Sequence, residues 1–131
     1  MRRSSPKSDP ASVAVSPGLA PGTVETTLIL PFNDTENTVR IISERADEIA
    51  AVIIDPLSTA AGTCIPKPEF LAALRKVTAK HGIVLIFDEI VAFRIAPGGA
   101  QSVFGADPVP YIWRACTDIC IDIGLDMYID V

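Results

Sequence analysis

The sequence predicts an α/β fold in which parallel strands are joined by crossover helices. Two short apolar runs carry this reading, Ala50-Ala51-Val52-Ile53-Ile54 and Ile83-Val84-Leu85-Ile86-Phe87. Each ends in a carboxylate, Asp55 or Asp88. Unbroken runs of this length, rich in β-branched residues, read as strands buried on both faces of a parallel sheet. The third observation is the helical spacing of the apolar residues between the runs. Ligands of open α/β sheets bind at the carboxyl edge of the strands, so Asp88 is the leading candidate site residue. A carboxylate placed there is costly unless a cation or hydrogen-bond donor meets it.

Taken in order, residues 1–22 are rich in Ser, Pro, Gly and Ala without periodicity and read as a flexible arm. Thr26-Thr27-Leu28-Ile29-Leu30 reads as a short strand stopped by Pro31. Asn33 is placed to cap a helix, with Glu36 three residues on in capping-box spacing. Val39, Ile42, Ala46 and Ile49 form that helix's apolar stripe. The strand 50–54 follows, then a loop over 57–67. Pro68 suits the first turn of a second helix, and Phe70, Leu71, Leu74 and Val77 give its buried stripe. Arg75, Lys76, Lys80 and His81 sit near its carboxyl end, where cations oppose the helix dipole. Gly82 terminates it, and the strand 83–87 leads to Asp88. Strand–helix–strand–helix–strand calls for right-handed crossovers. The strands read as apolar on both faces, yet the chain supplies helices for little more than one. Residues 24–104 therefore read as a slice of a larger α/β domain.

The tail 109–131 differs. From Ile119 to Val131 every odd position is apolar, while Asp118, Asp122, Asp126 and Asp130 fall on the other face. That is the periodicity of an amphipathic strand. As a helix it would set these aspartates at repelling spacing.

At 131 residues, 49% of them hydrophobic, the chain fits one modest domain. A net charge of −5 argues against nucleic acid or an anionic membrane as partner. No apolar run approaches a bilayer span, and Arg2 and Arg3 precede no apolar signal core. Three cysteines, Cys64, Cys116 and Cys120, do not make a disulfide framework. They fit a reducing, cytoplasmic compartment.

Rival readings of the same residues are weaker. An apolar strand ending in Asp-Glu also occurs in P-loop nucleotide hydrolases, but the chain has no Gly-Lys pair for the phosphate loop. Cys116, Cys120 and His81 are one ligand short of a zinc site. Gly98-Gly99 reads as a turn rather than a phosphate cradle. The tail aspartates match no calcium loop. Without a cofactor, Asp88 would cap the following turn or pair with Arg94.

Leu30-Pro31-Phe32-Asn33-Asp34, Ala50 through Pro56, Pro66-Lys67-Pro68-Glu69-Phe70-Leu71, Leu85-Ile86-Phe87-Asp88-Glu89-Ile90, Phe93-Arg94 and Ala96 through Gln101 occur in this order. In that combination the stretch from about Ser16 to Pro108 resembles the class III pyridoxal-phosphate-dependent aminotransferases, most of all the glutamate-1-semialdehyde 2,1-aminomutase-like branch. The resemblance covers the middle of a family member. It implies a fragment of the fold-type I transferase large domain over 23–108, with pyridoxal 5'-phosphate as cofactor. It further implies an amino acid or amino-aldehyde substrate and a homodimer. Asp88 matches the aspartate that pairs with the cofactor's pyridine nitrogen, and Ile90 the branched residue that packs on its ring. Asp55 stands where the family usually has Glu before Pro. Ala60 stands where relatives often carry an asparagine.

The departures are specific. The family's cofactor-anchoring lysine should follow Pro108, yet no lysine follows Lys80. The phosphate cup, the stacking aromatic and the small domain that takes the substrate carboxylate have no counterpart. No residue of this chain is therefore assigned as catalytic, and the chain is expected not to catalyse by itself. The alternatives are a non-catalytic module that pairs with a full-length relative and a truncated gene product.

Overall fold

In the computed structural model the described residues are 10–14, 16–20, 22–59, 62–104 and 113–114. They form α1 (Thr35–Glu44), β1 (Ala51–Ile54), α2 (Pro68–His81), β2 (Val84–Phe87), α3 (Gly99–Val103) and β3 (Trp113–Arg114). Two single-turn 3₁₀ segments lie at Ala46–Glu48 and Ala92–Ile95. The sheet order is β1-β2-β3 and both pairings are parallel. Ala51 pairs with Val84 and Ile54 with Phe87, so the two predicted strands lie side by side.

Helix α2 follows its sequence signals. Pro68 opens it, and Gly82 closes it in the left-handed region at φ 69°, where glycine meets no steric penalty. Phe70, Leu71, Leu74 and Val77 are buried. With Ile42 of α1 they pack on Val52 and Ile54 of β1 and Leu85 and Phe87 of β2. Phe32 tilts against Phe70 at 50°, ring centroids 5.7 Å apart.

Three expectations are corrected. Residues 27–30 form no strand, because a strand needs a backbone partner and none of the described residues supplies one. The first helix is capped by Asp34, whose Oδ1 accepts the amide of Asn37 at 3.2 Å. Asn33 instead takes φ 61°. Its side chain donates to the Ile65 carbonyl at 3.0 Å and accepts from the Lys67 amide at 2.8 Å, tying the α1 entry to the α2 entry. The helix also ends at Glu44, leaving Ala46 and Ile49 to pack on the core from outside it.

Among the described residues the core lies against one face of the sheet. Along β1 burial alternates, with Val52 and Ile54 inside and Ala51 and Ile53 outside. Ile53 is 66% exposed. In β2, Leu85 and Phe87 are buried while Val84 and Ile86 are half-buried. The expectation of strands buried on both faces fails because the core is built by α1 and α2 together with one face of each strand.

Much of the predicted arm 1–22 lies outside the described residues. In its described part, the Ser12 hydroxyl donates to the Thr27 carbonyl. The predicted strand over 119–131 also lies outside them, as do Ala60, Cys116 and Cys120. The tail's described part is β3, whose Trp113 is level with Ile86.

Candidate functional site

The site grows from the carboxyl ends of β1 and β2. The Asp88 amide donates to the Ile54 carbonyl at 2.8 Å, which extends the ladder one step and holds Asp88 at the sheet edge. Asp88 Oδ1 then accepts the Ile90 amide at 3.0 Å. At the neighbouring strand end, Asp55 Oδ1 accepts the Leu57 amide at 2.8 Å. Both aspartates thus use one oxygen to turn the chain as it leaves the sheet, a habit of short carboxylates beside backbone amides.

Asp88 is half-buried. Among the described residues the ion pairs are Arg40–Glu44 at 2.8 Å and Arg45–Glu48 at 2.6 Å, both on the surface. Arg94, the one cation the sequence offered as a partner, is exposed and pairs with neither aspartate. Ile90 is 42% exposed. An acceptor at the strand end and an accessible branched side chain two residues on can together meet a flat cationic ring. The residues present fit a pyridinium in that sense: the Asp88 carboxyl would face it, and among the described residues no cation pairs with that group.

Glu89 was not singled out by the sequence. It is fully buried at 0% exposure. Its Oε1 accepts the Gln101 amide at 3.0 Å, while Oε2 is buried without a hydrogen-bond partner. Its carbonyl accepts the Phe93 amide at 2.9 Å, starting the 3₁₀ turn. Glu89 therefore folds residues 90–101 back over the end of β2, directly after Asp88. The sequence signal was Gly99, which has φ 72° and leaves room only for a hydrogen against the Glu89 carboxylate.

His81, half-buried at the end of α2, has its Nε2 buried without a hydrogen-bond partner. Among the described residues no cluster of His, Cys, Asp and Glu could hold a metal ion. No described helix is long and apolar enough to cross a membrane.

Parallel strands linked by helices, with carboxylates closing the strands on the ligand-binding edge, define an open α/β unit. The sequence model of the family Aminotransferase class-III matches residues 15–108, and the chain belongs to that family. It is 44% identical over 91 residues to glutamate-1-semialdehyde 2,1-aminomutase of Methanococcus maripaludis strain C7, covering 69% of this chain and 21% of that protein. The enzyme of the same name from Rhodopirellula baltica is 46% identical over 94 residues, covering 71% and 21%. Among solved structures, an omega-transaminase from Sphaerobacter thermophilus superposes with a TM-score of 0.71 at 41% identity, covering 74% of this chain and 22% of that one. A transaminase with PLP bound gives 0.64 at 36%, covering 69% and 21%. The chain thus spans about a fifth of the length of the relatives it matches.

Proposed function

We propose that this chain is a piece of the large domain of a class III aminotransferase or aminomutase, and that Asp88 is its contact to the pyridine nitrogen of pyridoxal phosphate. The observation that supports this is Asp88 itself: half-buried at the carboxyl end of β2, one oxygen engaged by Ile90, no described cation beside it. When bound, the cofactor supplies an electron sink for charge left at a substrate α-carbon. Asp88 would hold the proton on the ring nitrogen, and Ile90 would pack on a ring face. Glu89 would keep the segment after Asp88 in place through Gln101. Residues 81–131 contain no lysine, so this stretch binds and orients but carries no amine to anchor the cofactor. The parent reaction would move an amino group between an amino acid or amino-aldehyde and the cofactor, in a cytoplasmic homodimer.

The test is a graft. The matched 91 residues of the Methanococcus maripaludis aminomutase are replaced by the corresponding residues of this chain. The expected hybrid retains pyridoxal phosphate after desalting and turns over, while Asp88→Ala in the hybrid loses both and Asp88→Glu recovers part. If the Asp88→Ala hybrid holds the cofactor as well as the unsubstituted one, the assignment is overturned.

A further inference from the structure

The two carboxyl oxygens of Asp88 are held differently. Its backbone is fixed by the sheet, since the Asp88 amide donates to the Ile54 carbonyl at 2.8 Å. The sheet does not fix the rotation of the side chain. That is set by the Ile90 amide, which donates to Oδ1 at 3.0 Å. Among the described residues no hydrogen bond engages Oδ2. A carboxyl group held by one local backbone amide keeps its orientation only while that amide keeps its place.

The Ile90 amide is placed by a turn that apolar packing does not hold. Ile90, Val91 and Ile95 are all exposed, and none joins the core around β1 and β2. Glu89 holds the turn from inside. It is fully buried and engages the chain beyond the turn twice. Its carbonyl accepts the Phe93 amide at 2.9 Å. Its Oε1 reaches twelve residues along the chain to accept the Gln101 amide at 3.0 Å. Gly98 stands at the N-cap of α3 and offers no side chain there, so the Glu89 carboxyl takes that place. In turn α3 packs against the 3₁₀ segment Ala92–Ile95, with Ala92 and Ala100 fully buried.

Packing alone does not call for an acid at this position. Oε2 is buried without a hydrogen-bond partner, and burying an unpaired polar atom is unfavourable. An apolar side chain of similar size would avoid that penalty but would leave the Gln101 amide without its acceptor. What Glu89 supplies is the acceptor that ties the turn to the helix.

We propose that Glu89 is a positioning residue for Asp88. Its carboxyl seats α3 on the turn, the turn fixes the Ile90 amide, and that amide holds Oδ1. Oδ2 is then the oxygen left for the pyridine nitrogen of the cofactor. This role rests on the reading of Asp88 as the cofactor contact. One carboxyl oxygen suffices for a single N–H donor, and a side chain already held in place loses little rotamer freedom on binding. Without Glu89 the Asp88 side chain samples other rotamers, and the ring nitrogen lacks a fixed acceptor for its proton.

The test uses both the aminomutase hybrid and the full chain. In the hybrid, Glu89→Met fills the space without an acceptor, whereas Glu89→Gln keeps the acceptor. The readout is the ring-nitrogen NMR resonance of isotope-labelled pyridoxal phosphate. It separates a protonated nitrogen from a bare one, and loss of stability alone does not move it. Glu89→Gln is expected to keep the protonated signal. Glu89→Met is expected to shift the signal toward the bare nitrogen and to raise the Kd for pyridoxal phosphate about tenfold. A Glu89→Met hybrid that melts lower yet keeps signal and affinity shows a structural role only and overturns the proposal. So does a Glu89→Gln hybrid that behaves like Glu89→Met. Hydrogen exchange on the unsubstituted full chain requires no variant to fold. There the Ile90 and Gln101 amides are expected to exchange through one cooperative opening with equal protection; protection at Gln101 with none at Ile90 overturns the proposal. If Asp88→Ala leaves cofactor binding intact, the reading of Asp88 falls and this role with it. If Asp88→Ala loses the cofactor and Glu89→Met does not, only the role of Glu89 falls.

Discussion

Gly99 lies so close to Glu89 that a β-carbon at position 99 would stand 1.9 Å from Glu89 Oε2. The same glycine has φ 72°, a conformation side chains resist. Two independent causes therefore exclude any other residue, one steric and one conformational. The contact joins the residue after Asp88 to the start of α3, and it sets the path of the loop between them.

Gly99→Ala is expected to cost roughly 2–4 kcal/mol, the sum of overpacking and left-handed strain. Urea unfolding followed by circular dichroism measures it. In the Glu89→Ala background the steric part disappears and only the strain remains. The two substitutions should therefore couple strongly in a double-mutant cycle; simple additivity would mean that the carboxylate is not what Gly99 accommodates.

Gly82→Ala isolates the conformational cause. Position 82 shares the positive φ, at 69°, but a β-carbon there would meet nothing within 4 Å. The expected loss is about 1 kcal/mol, well short of that at Gly99. Equal losses at the two sites would contradict the steric account of Gly99.

The one-sided core predicts an asymmetry along neighbouring elements. Leu74 is 2% exposed, and Leu74→Ala should cost about 2–5 kcal/mol by lost transfer energy and a cavity. Ile53 projects from the uncovered face, and Ile53→Ala should stay within about 0.5 kcal/mol in the isolated chain. Thermal unfolding of the two variants side by side checks the difference.

Asp34 gives a pH dependence. Its carboxyl is held below the ordinary 3.8, first by the Asn37 side-chain amide and then by the Asn37 backbone amide. A depressed folded value means that the charged form favours the native state. The contribution is complete above the unfolded value and fades as pH falls through the lower folded one. Asp34→Ala should therefore be less stable than the parent at neutral pH, with the gap closing in strong acid. Melting temperatures across that range decide it; a gap that widened in acid would reverse the sign.

The elements legible from sequence were those with purely local causes. Pro68 and Gly82 marked both ends of α2 because each acts through its own backbone, one by a missing amide and the other by a tolerated φ. Runs of β-branched residues marked β1 and β2, and their parallel pairing followed from the helix between them. The family was legible too, because its motifs keep their order along the chain. Asn33 was misread because a capping side chain and a loop-bridging side chain look alike in sequence. Only the position of Ile65 and Lys67, 32 and 34 residues away, decides between them.

What sequence alone determined, then, was the kind of unit this is and the place of Asp88 at a strand end. Tertiary structure decided which faces those strands bury, that residues 27–30 form no strand, and that Glu89 turns inward while Asp88 stays half-exposed. The physical reason is range. Local conformation is set by a residue's own sterics and nearest hydrogen bonds, whereas burial and strand pairing depend on which other parts of the chain arrive alongside.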